Sequence, residues 1–265
     1  FGNRIANGKV NLNGEEYALA TNDGSKQLHG GVDGYDRVVW EAEPIEGSED
    51  STLKLTYLSK DGEEGYPGNL NVTVIYTLTN DNAVEVTYEA TTDKSTVVNL
   101  TQHAYFNLTG DFSKDILNHD VVIDADTYLP VDETLIPTGE IRKVEGTPFD
   151  FTSPKKIGKE INADNEQLKR GKGYDHCWVL NGKKGNMRFV ASAFDEDSGR
   201  FMEILSTEPA IQFYTGNFLD GTLPMPNRGT YNHRTGFCSE IGPRRRRLAA
   251  AANTHTTPCA PCSAS

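Results

Sequence analysis

Several short stretches of this chain carry side chains that can move protons or match hydroxyl groups. Asn99-Leu-Thr-Gln-His103-Ala-Tyr105-Phe-Asn-Leu108 sets an ionisable histidine among strand-forming residues. An imidazole titrates near neutral pH, so it can give or take a proton there, although a histidine in such a run is more often a satisfied structural residue. Tyr174-Asp175-His176-Cys177-Trp178 puts a carboxylate at the mouth of an apolar strand. Burying that charge is costly unless it is paired or hydrogen-bonded, so either a ligand or a turn cap is expected to meet it. Ile211-Gln212-Phe-Tyr-Thr-Gly holds an amide, donor and acceptor at once, inside an aromatic strand. Leu28-His29-Gly30-Gly31 puts a histidine on a glycine loop, where backbone can approach a ligand closely. Thr235-Gly-Phe-Cys-Ser-Glu240 ends a short apolar run in a carboxylate.

Other chemistries lose support. There is no GxxxxGK[ST], no GxGxxG between strand and helix, no HExxH and no GxSxG. Histidines and cysteines do not cluster at ligand spacing, so no metal is expected. Lys and Arg number 26 against 38 Asp and Glu, a net charge of −12. So acidic a chain has no footprint for nucleic acid or an anionic membrane, and no apolar run is long enough for a membrane helix. Hydrophobic residues make up 36% and aromatics 9%, enough for a core. Cys177, Cys238, Cys259 and Cys262 are too few and too scattered for a disulfide framework, which makes a reducing cytoplasm the default setting. The chain opens on Phe1 with no charged-then-apolar leader, so its start is expected to lie upstream.

The elements that must position these residues have a period of two. Leu70, Val72, Val74, Tyr76 and Leu78 alternate with polar residues. Asn80-Asp81-Asn82 is turn chemistry, and Val84, Val86, Tyr88 and Ala90 resume the alternation. This predicts an antiparallel hairpin with one buried face. Further strands are expected at 97–100, 121–125, 177–180, 188–194, 202–206 and 211–215, with turns at 181–186 and 195–199. Only 153–169 reads as helical, with Ser153-Pro154 as its start. The pattern predicts an all-β fold, a large antiparallel β-sandwich, in one domain over 1–242. Residues 243–265, with Arg244–Arg247 and four alanines, have no strand period and are expected to form a disordered, non-homologous tail.

Taken in order, Asn3-Arg4-Ile5, Leu28-His29-Gly30-Gly31, His103-Ala-Tyr105-Phe-Asn-Leu, Tyr174-Asp175-His176, Gln212-Phe-Tyr-Thr-Gly-Asn217 and Gly236-Phe-Cys-Ser-Glu240 resemble the galactose mutarotases, or aldose 1-epimerases. The resemblance implies a β-sandwich of the supersandwich type with the sugar in an open cleft on one sheet. It implies an isomerase that interconverts the α and β anomers of free galactose and glucose, with no cofactor, acting as a cytoplasmic monomer. His103 would be the general acid and Glu240 the general base, brought to opposite sides of one hexose. Asn3, Arg4, His29, Tyr105, Asp175 and Gln212 would line the sugar site.

The chain departs from that family in opening at the Asn-Arg-Ile motif and in reading Ile241-Gly242-Pro243 and an arginine run after Glu240. Ser239 stands where the family generally has an apolar residue. Truncation at both ends is expected to expose sheet edges and to leave Glu240 loosely held, to the cost of folding and activity. Three other readings compete with the epimerase. A non-catalytic sugar-binding sandwich needs no acid–base pair. A glycoside hydrolase would pair Asp175 with Glu240 across a cleft. A sugar-phosphate epimerase would want Arg228 and Arg234 at the site.

Overall fold

The computed structural model describes residues 1–47, 49–226 and 229–242. Expectations for 243–265, Arg244–Arg247, the Cys259 and Cys262 pair and Arg228 therefore lie outside the described residues. These residues form two compact units, Phe1 with 3–100 and Gly2 with 101–242.

The first unit contains β1 (Arg4–Ile5), β2 (Lys9–Leu12), β3 (Glu15–Ala18), β4 (Gln27–Leu28), β5 (Glu41–Ile45), β6 (Ser51–Ser59), β7 (Leu70–Leu78) and β8 (Val84–Thr92). β1 pairs with β4, β2 with β3, and β5-β6-β7-β8 form a four-stranded sheet. The predicted hairpin is β7 with β8, in register from Leu70 opposite Thr92 to Leu78 opposite Val84. Its turn closes through Thr79 N–H to Ala83 O, with Asn82 in the left-handed region that a short Asx side chain tolerates. Leu70, Val72 and Val74 bury most of the predicted face against Trp40, Leu55, Tyr88 and Ala90, whereas Leu78 and Val84 at its turn end are exposed.

The second unit adds β9 (Asp120–Ile123), β10 (Thr127–Leu129), β11 (Arg142–Lys143), β12 (Lys155–Lys156), α1 (Glu166–Gly171), β13 (Asp175–Val179), β14 (Arg188–Asp195), β15 (Arg200–Ser206), β16 (Ala210–Tyr214) and β17 (Cys238–Gly242). Two sheets, β11-β10-β13-β16-β17 and β12-β9-β14-β15, enclose one core. Trp178, Ile211 and Phe213 from the first meet Val121, Ile123, Val190 and Ala193 from the second. The valine, isoleucine and phenylalanine side chains among them each contribute about 1.5–3 kcal/mol on burial, which holds the layers face to face. Every strand pairing among the described residues is antiparallel. No described helix is long and apolar enough to cross a membrane.

Two local expectations are corrected. Residues 97–100 bury Val97 and expose Val98 but form no strand among the described residues. Residues 153–169 do not form one helix; they divide into β12, a single turn at Ile157–Lys159 and α1. The helix starts at Asn165, whose carboxamide oxygen accepts from the Gln167 and Leu168 amides. Capping at that residue, and not at Ser153, fixes the helix boundary.

Candidate active site

Successive side chains of a strand point to opposite faces, and the five-stranded sheet uses that rule to separate core from chemistry. His176, Trp178, Ile211 and Phe213 face inward and are essentially inaccessible to water. Asp175, Cys177, Gln212, Tyr214, Cys238 and Glu240 therefore share the opposite face. Register sets them in two rows, Cys177 opposite Gln212 opposite Glu240 and Asp175 opposite Tyr214 opposite Cys238. All six are buried, so this is an enclosed polar patch and not an ordinary solvated sheet face. Within it Gln212 Nε2 donates to Asp175 Oδ1 at 2.6 Å. The expected burial cost of the Asp175 charge is thus met by a side-chain partner.

His103 reaches this patch from a segment without regular structure. The segment runs beside the edge strand β17 and is pinned at both ends. Thr101 Oγ1 donates to Ile241 O at 3.1 Å, and Phe106 exchanges backbone hydrogen bonds of 2.8 and 3.0 Å with Phe237. His103 Nε2 consequently lies 3.5 Å from Glu240 Oε1, with the His103 side chain 30% exposed and Glu240 4% exposed. Glu240 is better enclosed than its place on an edge strand suggested. The two groups also stand side by side, not on opposite sides of a hexose-sized space. The Tyr105 and Tyr214 rings flank the imidazole at 5.3 and 6.5 Å between centroids. Burial, followed by the nearby Cys238, Tyr214 and two carboxylates, pushes the Tyr105 hydroxyl far above its ordinary range, so it remains a donor. Burial and the same carboxylates also raise Cys238, which stays a thiol.

The second unit thus brings together His103, Tyr105, Asp175, Gln212 and Glu240. Asn3, Arg4 and His29 belong to the first unit, where β1 against β4 gathers them. Asn3 N–H donates to His29 Nδ1 at 3.1 Å, and His29 N–H donates to Asn3 O at 2.9 Å. Arg4 Nε donates to Asp23 Oδ2 at 3.1 Å. Burial tends to raise the Asp23 pKa, but Lys26 and Arg4 together hold it low.

Other motif residues prove structural. Asn217 Nδ2 donates to Gly171 O and Tyr174 O, tying a helix end to a strand start. His176 accepts from the Asp175 amide at Nδ1, which leaves its ring proton on Nε2, 3.2 Å from Gln167 Oε1. The Arg234 guanidinium donates from its two terminal nitrogens to Asn162 Oδ1 and Lys172 O, so both are engaged within the protein. Tyr214 and Cys238 were missed as site neighbours, although period-two counting from Gln212 and Glu240 puts both on the same face. Ser239, one residue from Glu240, accordingly faces inward, where it lines a small gap with Ile211, Phe213, Phe237 and Met202.

Comparison with known proteins bears on this arrangement. The family model for aldose 1-epimerase matches residues 1–245. Galactose mutarotase of Bos taurus is 47% identical over 238 residues, covering 90% of this chain and 66% of that protein. Aldose 1-epimerase of Escherichia coli (strain K12) is 45% identical, covering 87% of this chain and 64% of that protein. The chain thus spans slightly less than two thirds of the length of these curated relatives. The crystal structure of galactose 1-epimerase from Lactobacillus acidophilus NCFM superposes with a TM-score of 0.81 at 33% identity, covering 93% of this chain and 70% of that one.

Proposed function

Because the chain belongs to the aldose 1-epimerase family, we propose that it interconverts the α and β anomers of free hexoses, galactose and glucose in particular, by acid–base ring opening and reclosure. The observation that carries this reading is the 3.5 Å approach of His103 Nε2 to Glu240 Oε1 in an enclosed polar patch. The anomeric hydroxyl oxygen and the ring oxygen are bonded to the same carbon. An acid and a base that serve them can therefore sit side by side.

Glu240 as carboxylate takes the proton of the anomeric hydroxyl while His103 as imidazolium protonates the ring oxygen. The C1–O5 bond breaks and an open-chain aldehyde forms. After rotation about C1–C2, the C5 hydroxyl adds to the other carbonyl face. It returns its proton to His103 as Glu240 protonates the carbonyl oxygen, and both groups regain their starting states. Each positioned proton transfer is worth ~10²–10⁴-fold. Asp175 and Gln212, with Tyr105, supply acceptors and donors for hydroxyl groups. From family membership, Asn3, Arg4 and His29 bind the sugar as well.

Both proton-transfer groups come from one chain, which fits a monomer. The small number and scatter of the cysteines, with Cys177 and Cys238 both buried, fit a reducing cytoplasm. A retaining or inverting glycosidase is less well supported. Asp175 and Glu240 stand on one face of one sheet with β16 between them, two strand spacings across and two residues along, about 12 Å apart at the backbone, and Asp175 is already bound to Gln212.

The test is polarimetry of freshly dissolved α-D-galactose. The protein should speed the decay to equilibrium, and Glu240→Gln and His103→Asn should each slow it by ~10²–10⁴-fold with the fold intact. A decay equal to that of buffer would overturn the reading.

A further inference from the structure

We propose that Glu64 is a positioning residue that sets the His29 loop in place, and with it the hydrogen-bond donor that His29 offers. This inference rests on the proposed role of His29 as a sugar ligand.

His29, Gly30 and Gly31 all lie in the left-handed region, at φ 49°, 91° and 111°. The turn they make closes on itself once, through Gly31 N–H to Leu28 O at 3.1 Å, but the stretch that follows is fastened from outside. Glu64 holds it. Its carboxylate Oε2 accepts from the Val32 amide at 3.0 Å and its Oε1 from the Asp33 amide at 2.9 Å. The contact is close enough that a β-carbon on Gly31 would stand 2.0 Å from Glu64 Oε2, so only glycine fits beneath the carboxylate. Asn22 grips the same loop from its other side, donating to Leu28 O and Gly31 O and accepting from the Leu28 amide.

Glu64 is itself strained, at φ 50° within the turn Glu63–Gly65. Glycine or asparagine suits that backbone better, and neither side chain can reach two amides of a separate loop. A glutamate at this angle is a cost to the turn that is offset at the loop, the pattern expected where strain serves a site. The turn is anchored in its own right, since the Glu64 carbonyl accepts from Ala20 N–H at 3.0 Å and from Gln27 Nε2 at 3.4 Å.

The group held in this way has a defined polarity. His29 Nδ1 accepts the Asn3 amide, so the proton of the neutral ring is on Nε2. A donor at Nε2 is the polarity that a hydroxyl oxygen of the sugar would require.

Glu64→Asn and Glu64→Gly keep the left-handed backbone and remove the clamp. Both should retain or raise Tm, while KM for α-D-galactose rises about 2–10-fold, the worth of one neutral hydrogen bond, and kcat changes less. Glu64→Gln keeps one acceptor and should give a smaller rise. Combining Glu64→Asn with His29→Ala should give a protein no worse than His29→Ala alone, because the first acts through the second. An unchanged KM in Glu64→Asn, or additive losses in the double variant, would overturn the proposal. Failure of the functional reading shows differently, as no mutarotation by the unaltered protein. In that event amide exchange at Val32 and Asp33 and the His29 ring resonances decide the matter. Faster exchange with shifted resonances in Glu64→Asn supports the clamp, and unchanged spectra refute it.

Discussion

The histidines show how one residue type is assigned different work by its surroundings. His103 is partly open to solvent beside a carboxylate. His176 is fully buried in the aromatic core, and burial pulls its pKa down from 6.5 to about 3. His119 is lowered in the same direction by burial, with Asp195 opposing. Both remain neutral in the native state at neutral pH, whereas their unfolded forms take up protons near pH 6.5. The unfolded state therefore binds more protons as pH falls, and native stability declines from about pH 6.5 downward. We expect up to about 1.4 kcal/mol lost per pH unit for each such histidine. Urea unfolding at stepped pH values from about 7 down to about 4 reads that slope. A His176→Phe variant should have a shallower one, and an equal slope would show that His176 is not the group responsible. The core role of His176 was not legible in the sequence, where it sits in the same motif as Asp175. Strand alternation separates the two once the strand is located. The pairing of His103 with Glu240 had no local signal at all and came only from family resemblance.

At the scale of elements, the proposed catalytic geometry depends on how an irregular segment is fastened to an edge strand. Thr101 and Ile241, 140 residues apart in the chain, share the hydrogen bond that fixes one end of that segment. Thr101→Val keeps the shape and removes the donor. It should cost about 1 kcal/mol in stability and, by letting His103 drift, reduce kcat by as much as ~10²-fold with little change in KM. Wild-type kcat in a variant with lowered Tm would show that the fastening serves the fold alone. Regular strands were legible, since β7 and β8 carry long alternation ended by an Asx turn. The segment at 97–100 shows the limit. Val97 and Leu100 pack against apolar clusters, so hydrophobic spacing there reports burial without a ladder partner. The apolar residues at 157, 161 and 168 are likewise buried from three separate local structures, which spacing alone merged into one helix.

For the whole molecule, the charge balance carries the clearest consequence. A net charge of −12 puts the folded chain under self-repulsion that screening relieves. Raising ionic strength from low salt toward 1 M, where the Debye length is about 3 Å, should raise Tm, and a flat or falling Tm would show that attractive pairs outweigh the excess of acid. A different constraint arises from β16, buried along its whole length from Ala210 to Tyr214. Ile211 and Phe213 wall the apolar interior while Gln212 and Tyr214 floor the polar patch. Such a ribbon offers drift no neutral position. Saturation mutagenesis should find it intolerant at every step, with losses alternating residue by residue between failed folding and failed turnover.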